Sequence, residues 1–193
     1  MYALVESGTI TKYFNNPRGF MLGDVQYSSD IFMKWSVEEK TAIGIHEVIF
    51  DDSNRKDGQW YINTNQTFVF ANNIVTASYG TATPIAHADV TETINGVEST
   101  TLGLKTNLIK DLKSNVANEL AKTDWYITRK TEKSTAIPSA ISTHRDLVRS
   151  RQVSIEAQIT GAADTAALET LHTYTTTDGV QSRPLGELPV LES

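Results

Sequence analysis

The residues of this chain that are suited to acid–base or metal chemistry are its four histidines, His46, His87, His144 and His172. They fall in four different predicted elements, and none shows HxH or HExxH spacing. A zinc or iron site needs three or four ligands that converge on the metal. We therefore expect isolated histidines and no metal site.

Other signatures of catalysis or ligand binding are also missing from the sequence. Asp51, Asp52, Asn54 and Asp57 form an acidic loop before Gly58, but they lack the spacing and the closing glutamate of a calcium loop. The chain has no G-x-S-x-G elbow, no phosphate-binding loop and no cysteine. The sequence thus predicts a protein that is not an enzyme and uses no cofactor.

Composition narrows the classes of partner. The 193 residues are enough for one medium domain or two small ones, and 39% hydrophobic residues are enough for a packed core. The net charge of −6 and the absence of a dense basic cluster argue against nucleic acid. No run approaches the ~20 apolar residues that span a membrane, and the N-terminus lacks the features of a signal peptide. We expect neither a nucleic-acid nor a membrane partner.

The strongest pattern lies between Leu102 and Val153. Apolar residues recur at three-to-four-residue spacing from Leu104 to Leu120 and predict one amphipathic helix. After a break at 122–126, Pro138 marks the start of a second helix. Its predicted apolar side holds Ile141, Leu147, Val148 and Ile155, and its predicted polar side holds Arg145, Asp146, Arg149 and Arg151.

The residues before and after this stretch show weaker secondary-structure patterns. Short β-branched and aromatic runs before residue 80 predict an opening hairpin, a strand at 45–50 and a meander over 60–79, with a capped helix at Ser36. A short third helix over 164–171 and an extended, proline-containing tail end the chain. The predicted class is α+β, with a small, mainly antiparallel β domain at 1–90, a linker at 91–103 and a helical hairpin region at 104–193.

Three neighbouring residues, Asp124, Trp125 and Tyr126, form the most distinctive cluster in the sequence. We expect Asp124 to cap a turn and Trp125 to fill the space between the helices. The alternative is an aromatic anchor for another protein. A third hypothesis is a small hydrolase or a carbohydrate-binding module, in which Trp35, Trp60 or Tyr61 stacks on sugar rings. It requires these side chains to be exposed.

Several segments resemble proteins of bacteriophage tails. The match to the "TDW … YRxxLR" segment of tail-fibre assembly and related tail-associated proteins lies in Leu120–Trp125, Ile137–Pro138 and Thr143–Arg149, with His144 where the family has an aromatic residue. The tail Arg183–Pro189 is similar to the proline-containing ends of those chains. Residues 1–5, 11–13 and 41–48 resemble the N-terminal module of uncharacterised phage tail proteins.

The resemblance implies a non-enzymatic structural protein of the virion tail, made in the host cytoplasm and placed in a tail fibre, a baseplate or a fibre attachment. Asp124, Trp125, Tyr126, Arg145 and Arg149 are then packing or partner-contact residues. The implied partners are other tail or fibre proteins and further copies of this chain, as a trimer if it belongs to a fibre. The alternative is a tail-fibre assembly chaperone that is absent from the mature virion.

Overall fold

The computed structural model describes residues 1–191. Glu192 and Ser193, which belong to the predicted C-terminal region, lie outside the described part. The chain divides into two compact units, one from Met1 to Thr83 and the other from Pro84 onward. The chain combines helices with mainly antiparallel strands, in agreement with the predicted α+β class.

The first unit begins with a hairpin, as predicted, and holds most of the strands. Its elements are β1 (Tyr2–Glu6), β2 (Thr9–Phe14), β3 (Phe20–Leu22), β4 (Val25–Tyr27), α1 (Ile31–Lys34), α2 (Val37–Ala42), β5 (Ile45–Asp51), β6 (Tyr61–Ile62), β7 (Gln66–Ala71) and β8 (Ile74–Tyr79). The short strand β9 (Thr83–Pro84) lies at its end. The segment between β2 and α1 contains the hairpin of β3 and β4.

Five strands form the main sheet, in the order β2-β1-β5-β8-β7. All neighbours are antiparallel except β5 and β8, which run parallel. The meander predicted over 60–79 is confirmed only for the antiparallel pair of β7 and β8, because β6 pairs with β9 outside this sheet. Alternating apolar residues identify a strand but carry no information about its neighbour.

Each face of the sheet carries a cluster of buried apolar residues. Alternation along β1 sends Leu4 to a cluster with Phe14, Phe32 and Ile45, and sends Ala3 and Val5 to a second cluster on the opposite face. The predicted capping box at the start of α2 is confirmed: Ser36 Oγ accepts from the Glu39 amide at 3.2 Å, and Glu39 Oε2 accepts from the Ser36 amide at 2.8 Å.

The second unit is mainly helical. Its elements are β10 (Val90–Ile94), β11 (Val97–Thr101), α3 (Leu104–Ala121), α4 (Asp124–Lys133), α5 (Ser139–Gly161), α6 (Thr165–His172), β12 (Thr175–Thr177) and β13 (Val180–Ser182). The segment 91–103, predicted as a linker, contains most of the hairpin of β10 and β11. Helix α5 begins directly after Pro138 and α6 begins after Asp164, as predicted.

Helices α3 and α5 pack in antiparallel orientation. Near one end of the pair, Lys105 Nζ donates to the carbonyl oxygen of Thr160 at 2.8 Å. Near the other end, Glu119 Oε1 lies 3.2 Å from His144 Nε2. Because α4 stands between them in the chain, they are not a simple two-helix hairpin. Among residues 1–191, no helix has both the length and the apolar character to cross a membrane.

Candidate functional site

Helix α4 is the most exposed helix of the second unit. None of its residues is buried, and Trp125 and Ile127 are 50% and 40% exposed. Ser134, with φ of +56°, ends the helix in a left-handed conformation. An isolated helix of this length is marginal in water, so α4 depends on contacts at its ends.

Helix α4 carries an aromatic and cationic cluster in which Trp125 is exposed and Tyr126 and Arg129 are partly buried. The ring centroids of Trp125 and Tyr126 are 3.8 Å apart. The guanidinium of Arg129 lies 4.9 Å from the Trp125 ring centroid and 5.5 Å from that of Tyr126. Cation–π contacts of this kind hold flat side chains in one arrangement. We name Trp125, Tyr126 and Arg129 the aromatic cluster.

The expectation that Trp125 fills the space between the helices is wrong. Half of its surface is exposed, because the residues after α3 start a new helix instead of a tight turn. Thr123, and not Asp124, occupies the position before that helix. The alternative interpretation, an aromatic anchor, is the one that this geometry favours, since tryptophan, tyrosine and arginine dominate binding hot spots.

Arg145 of α5 fixes the start of α4. Its side chain is 8% exposed, and its Nη1 donates to the carbonyl oxygen of Leu120 at 2.8 Å and to Thr123 Oγ1 at 2.7 Å. The same nitrogen lies 2.9 Å from Asp124 Oδ1. The Thr123 hydroxyl in turn donates to the Leu120 carbonyl oxygen at 3.0 Å. One guanidinium therefore binds both the end of α3 and the beginning of α4. We name this point, where Arg145 contacts Leu120, Thr123 and Asp124, the junction.

This position suits a buried cation. The last carbonyl groups of α3 have no partners within the helix and carry the negative end of its dipole. Asp124, at the positive end of α4, adds a full negative charge next to Arg145. A buried charge is tolerated only when it is paired and hydrogen-bonded, and both conditions hold here.

The two sides of α5 differ from the sequence prediction. Arg145, placed on the polar side, is buried, and Leu147, placed on the apolar side, is 53% exposed. The acceptors at the end of α3 draw the arginine inward, and no periodic pattern contains that information. Arg149 stays on the surface, where its Nη1 lies 3.3 Å from Asp146 Oδ1. The structure thus brings together Asp124, Trp125, Tyr126 and Arg145, but not Arg149.

Glu119 and His144 lie at the same end of the helix pair, and no sequence motif indicates that they are in contact. Glu119 accepts from Lys122 and lies against the ring of His144, whose side chain is 7% exposed. The hydrogen bond from Lys122 does most to hold the pKa of Glu119 below its ordinary value of 4.5. The charge of that ammonium group and the contact with His144 act in the same direction, and burial of the carboxyl opposes them.

A groove of 610 Å³ runs beside the junction, between α3, α5 and the tail. Leu112, Ile155 and Leu185 are among the apolar residues that line it. Two ion pairs lie in this lining, Arg183 with Glu187 and Lys122 with Glu119. The lining, as far as the structure describes it, contains no serine, threonine or cysteine. Burial does most to lower the pKa of His172 below its ordinary value of 6.5.

The remaining candidates from the sequence do not form a site. Within residues 1–191, no group of three or more histidine, aspartate or glutamate side chains is placed to hold a metal ion. Trp60 is 3% exposed, and Trp35 and Tyr61 are partly buried. The exposed aromatic row that the carbohydrate hypothesis requires is therefore not present in these three residues.

No protein-family model, no curated protein and no solved structure matches this chain.

The first prediction separates the two arginines of the sequence motif. Arg145→Met leaves acceptors at the junction without their cation and is expected to lower the free energy of unfolding by about 2 kcal/mol. Arg149→Met removes an exposed ion pair and is expected to change it by less than about 0.5 kcal/mol. Urea unfolding followed by circular dichroism measures both variants. Equal effects would contradict the assigned role of Arg145.

The second prediction concerns acid stability. Because the pKa of Glu119 is lower in the folded chain than in the unfolded chain, stability from this group is present above pH 4.5 and is lost as the pH falls through the folded value. Glu119→Gln cannot titrate, so its unfolding free energy should fall less steeply on acidification. Lys122→Met should also make the plot of unfolding free energy against pH less steep. If the plots of both variants run parallel to the wild-type plot, this account is wrong.

Proposed function

We propose that this chain is a non-enzymatic structural protein of a bacteriophage tail, in a fibre, a baseplate or a fibre attachment, and that it acts through protein–protein contacts in a symmetric assembly. Two independent lines support the proposal. The resemblance of residues 120–149 to tail-associated proteins supplies the biological setting. The exposure of α4, which falls inside the same segment, supplies the contact surface.

The observation that carries the proposal is the aromatic cluster. Trp125 is half exposed, yet its ring is already ordered by Tyr126 and Arg129. Side chains that are ordered before binding lose little conformational entropy when a partner covers them. A partner that covers this cluster buries two aromatic rings and contacts one arginine. Tryptophan, tyrosine and arginine are the residues most common in binding hot spots.

The groove next to the junction supports binding more than catalysis. Two ion pairs in its lining, Arg183 with Glu187 and Lys122 with Glu119, form within the chain. A virion protein needs stable surfaces for its neighbours. We therefore assign α4 the principal functional role.

We further propose that copies of this chain contact one another through α4, with a trimer as the expected form in a fibre. In this proposal the antiparallel pair of α3 and α5 acts as the predicted helical hairpin, and α4 is an insertion that the pair presents at one end. An exposed cluster of apolar residues on a surface helix is a common mark of such an interface. The virion tail is then the location of the mature protein.

A specific feature also favours the second candidate, a tail-fibre assembly chaperone. The segment with the aromatic cluster is the one that resembles fibre assembly proteins, and in the single chain the cluster is open to a client. A chaperone would bind the fibre tip through α4 and then leave. The two candidates differ in whether the protein remains in the finished particle.

Mass spectrometry of gradient-purified particles of the phage that encodes the chain tests the proposal. We expect the chain in the particles at a fixed ratio to the major tail protein, as a multiple of three or six copies per tail. A chain found only in infected-cell lysate, bound to a fibre protein, would establish the chaperone instead. A chain found neither in particles nor with any tail protein would overturn both candidates.

A further inference from the structure

We propose that this chain assembles head to tail, with α4 of one copy bound to the hairpin of β10 and β11 of the next copy. We name that hairpin, residues 90–101, the β-arm. The inference rests on the proposed function insofar as it takes α4 as a contact surface. It adds the identity of the partner surface, which no motif in the sequence indicates.

The β-arm is uncovered in the single chain. Every residue of its two strands is exposed. Val90 and Ile94 lie on the same face of β10, and Val97 pairs with Ile94 across the arm, so the three share one face. They are 41%, 56% and 68% exposed. A two-stranded hairpin alone is marginally stable in water, so a partner on this face would stabilise it.

The charges of the two surfaces are complementary. The β-arm carries Glu92 on the same face as Val90 and Ile94, Glu98 on the opposite face and Asp89 at its base, and residues 84–104 contain no lysine or arginine. On α4, Asp124 is occupied by Arg145, which leaves three cations, Arg129, Lys130 and Lys133, against Glu132. In a chain with a net charge of −6, α4 is thus a basic helix that carries the aromatic cluster, and the β-arm is an acidic ribbon with three exposed apolar residues on one face.

The two surfaces lie at opposite ends of the helix pair. The base of the β-arm is bound to the start of α3, where the amide of Leu104 donates to the Ala86 carbonyl oxygen at 2.9 Å and the amide of Gly103 donates to Asp89 Oδ1 at 2.7 Å. Helix α4 begins beyond the other end of α3. The 18 residues of α3 span about 27 Å.

Contact between these surfaces therefore requires two copies. Neither the β-arm nor α4 has a buried residue, so neither folds back along the helix pair to reach the other. A contact between two different surfaces of one chain is heterologous, and it produces closed rings or open filaments. A trimeric ring contains three such contacts. Each copy then binds one neighbour through α4 and the other through its β-arm, so every α4 and every β-arm is covered.

Two half-blocked variants test this arrangement by sedimentation at micromolar concentration and low salt. The first, Trp125→Ala with Arg129→Glu, blocks α4 and keeps the β-arm. The second, Glu92→Lys with Glu98→Lys, blocks the β-arm and keeps α4. We expect an oligomer for the wild-type chain, monomers for each variant alone, and a one-to-one dimer for their mixture, because only one complementary contact is then available.

The control variant is Asp111→Lys, which reverses an exposed charge on the middle of α3 and should assemble like the wild type.

A further variant reverses the charges of both surfaces at once. It carries Glu92→Lys and Glu98→Lys on the β-arm, and Arg129→Glu, Lys130→Glu and Lys133→Glu on α4. This variant should assemble again, because its two surfaces are once more of opposite charge. Circular dichroism reports whether each variant keeps its helices. Added salt should weaken every assembly, because the attraction between exposed charges is screened.

The failures of the two proposals are distinguishable. If blocking α4 abolishes assembly while blocking the β-arm does not, the head-to-tail contact is overturned and α4 remains a contact surface. If blocking α4 leaves assembly intact, the role of α4 in the proposed function is overturned as well. A wild-type chain that stays monomeric at all concentrations, or a mixture that stays monomeric, would overturn the head-to-tail contact.

Discussion

The second unit depends on the placement of one buried charge, the guanidinium of Arg145. It binds the Leu120 carbonyl oxygen and the Thr123 hydroxyl, and it lies against the Asp124 carboxylate. The end of α3, the start of α4 and the second turn of α5 are thereby fixed at one point. Since α4 has no buried residue of its own, its direction follows from this junction and from its two connections. Glu119, Lys122 and His144 reinforce the same end of the helix pair.

This arrangement leaves Trp125 of the aromatic cluster exposed to solvent. A chain that needed only to fold would place Trp125 inward, since burying a large aromatic ring is among the most favourable contributions to a core. Here the ring is half exposed and is ordered by Tyr126 and Arg129 instead. The acidic β-arm at the far end of α3 is uncovered in the same way. Two incomplete surfaces with opposite charge at opposite ends are the basis of the proposed assembly.

The sequence predicts those features that depend on neighbours in the chain. The capping box of Ser36, the start of α5 after Pro138 and the α+β class all follow from local rules and are confirmed. The parallel pairing of β5 with β8, the burial of Arg145 and the exposure of Trp125 do not follow from them. Each depends on a partner that is distant in the sequence, such as the α3 carbonyl group that accepts from Arg145. The sequence motif contains Asp124, Trp125 and Arg145, but only the structure shows that Arg145 is buried against Asp124 and that Trp125 is exposed.

The central claim is that assembly covers α4. Hydrogen–deuterium exchange of the amides in Asp124–Lys133, measured below and above the concentration at which the chain self-associates, tests this claim most directly. The account predicts slower exchange in α4 on assembly, together with slower exchange in the β-arm, while the main sheet of the first unit is unchanged. If the chain assembles and exchange in α4 stays the same, the aromatic cluster is not at the interface and the account is wrong.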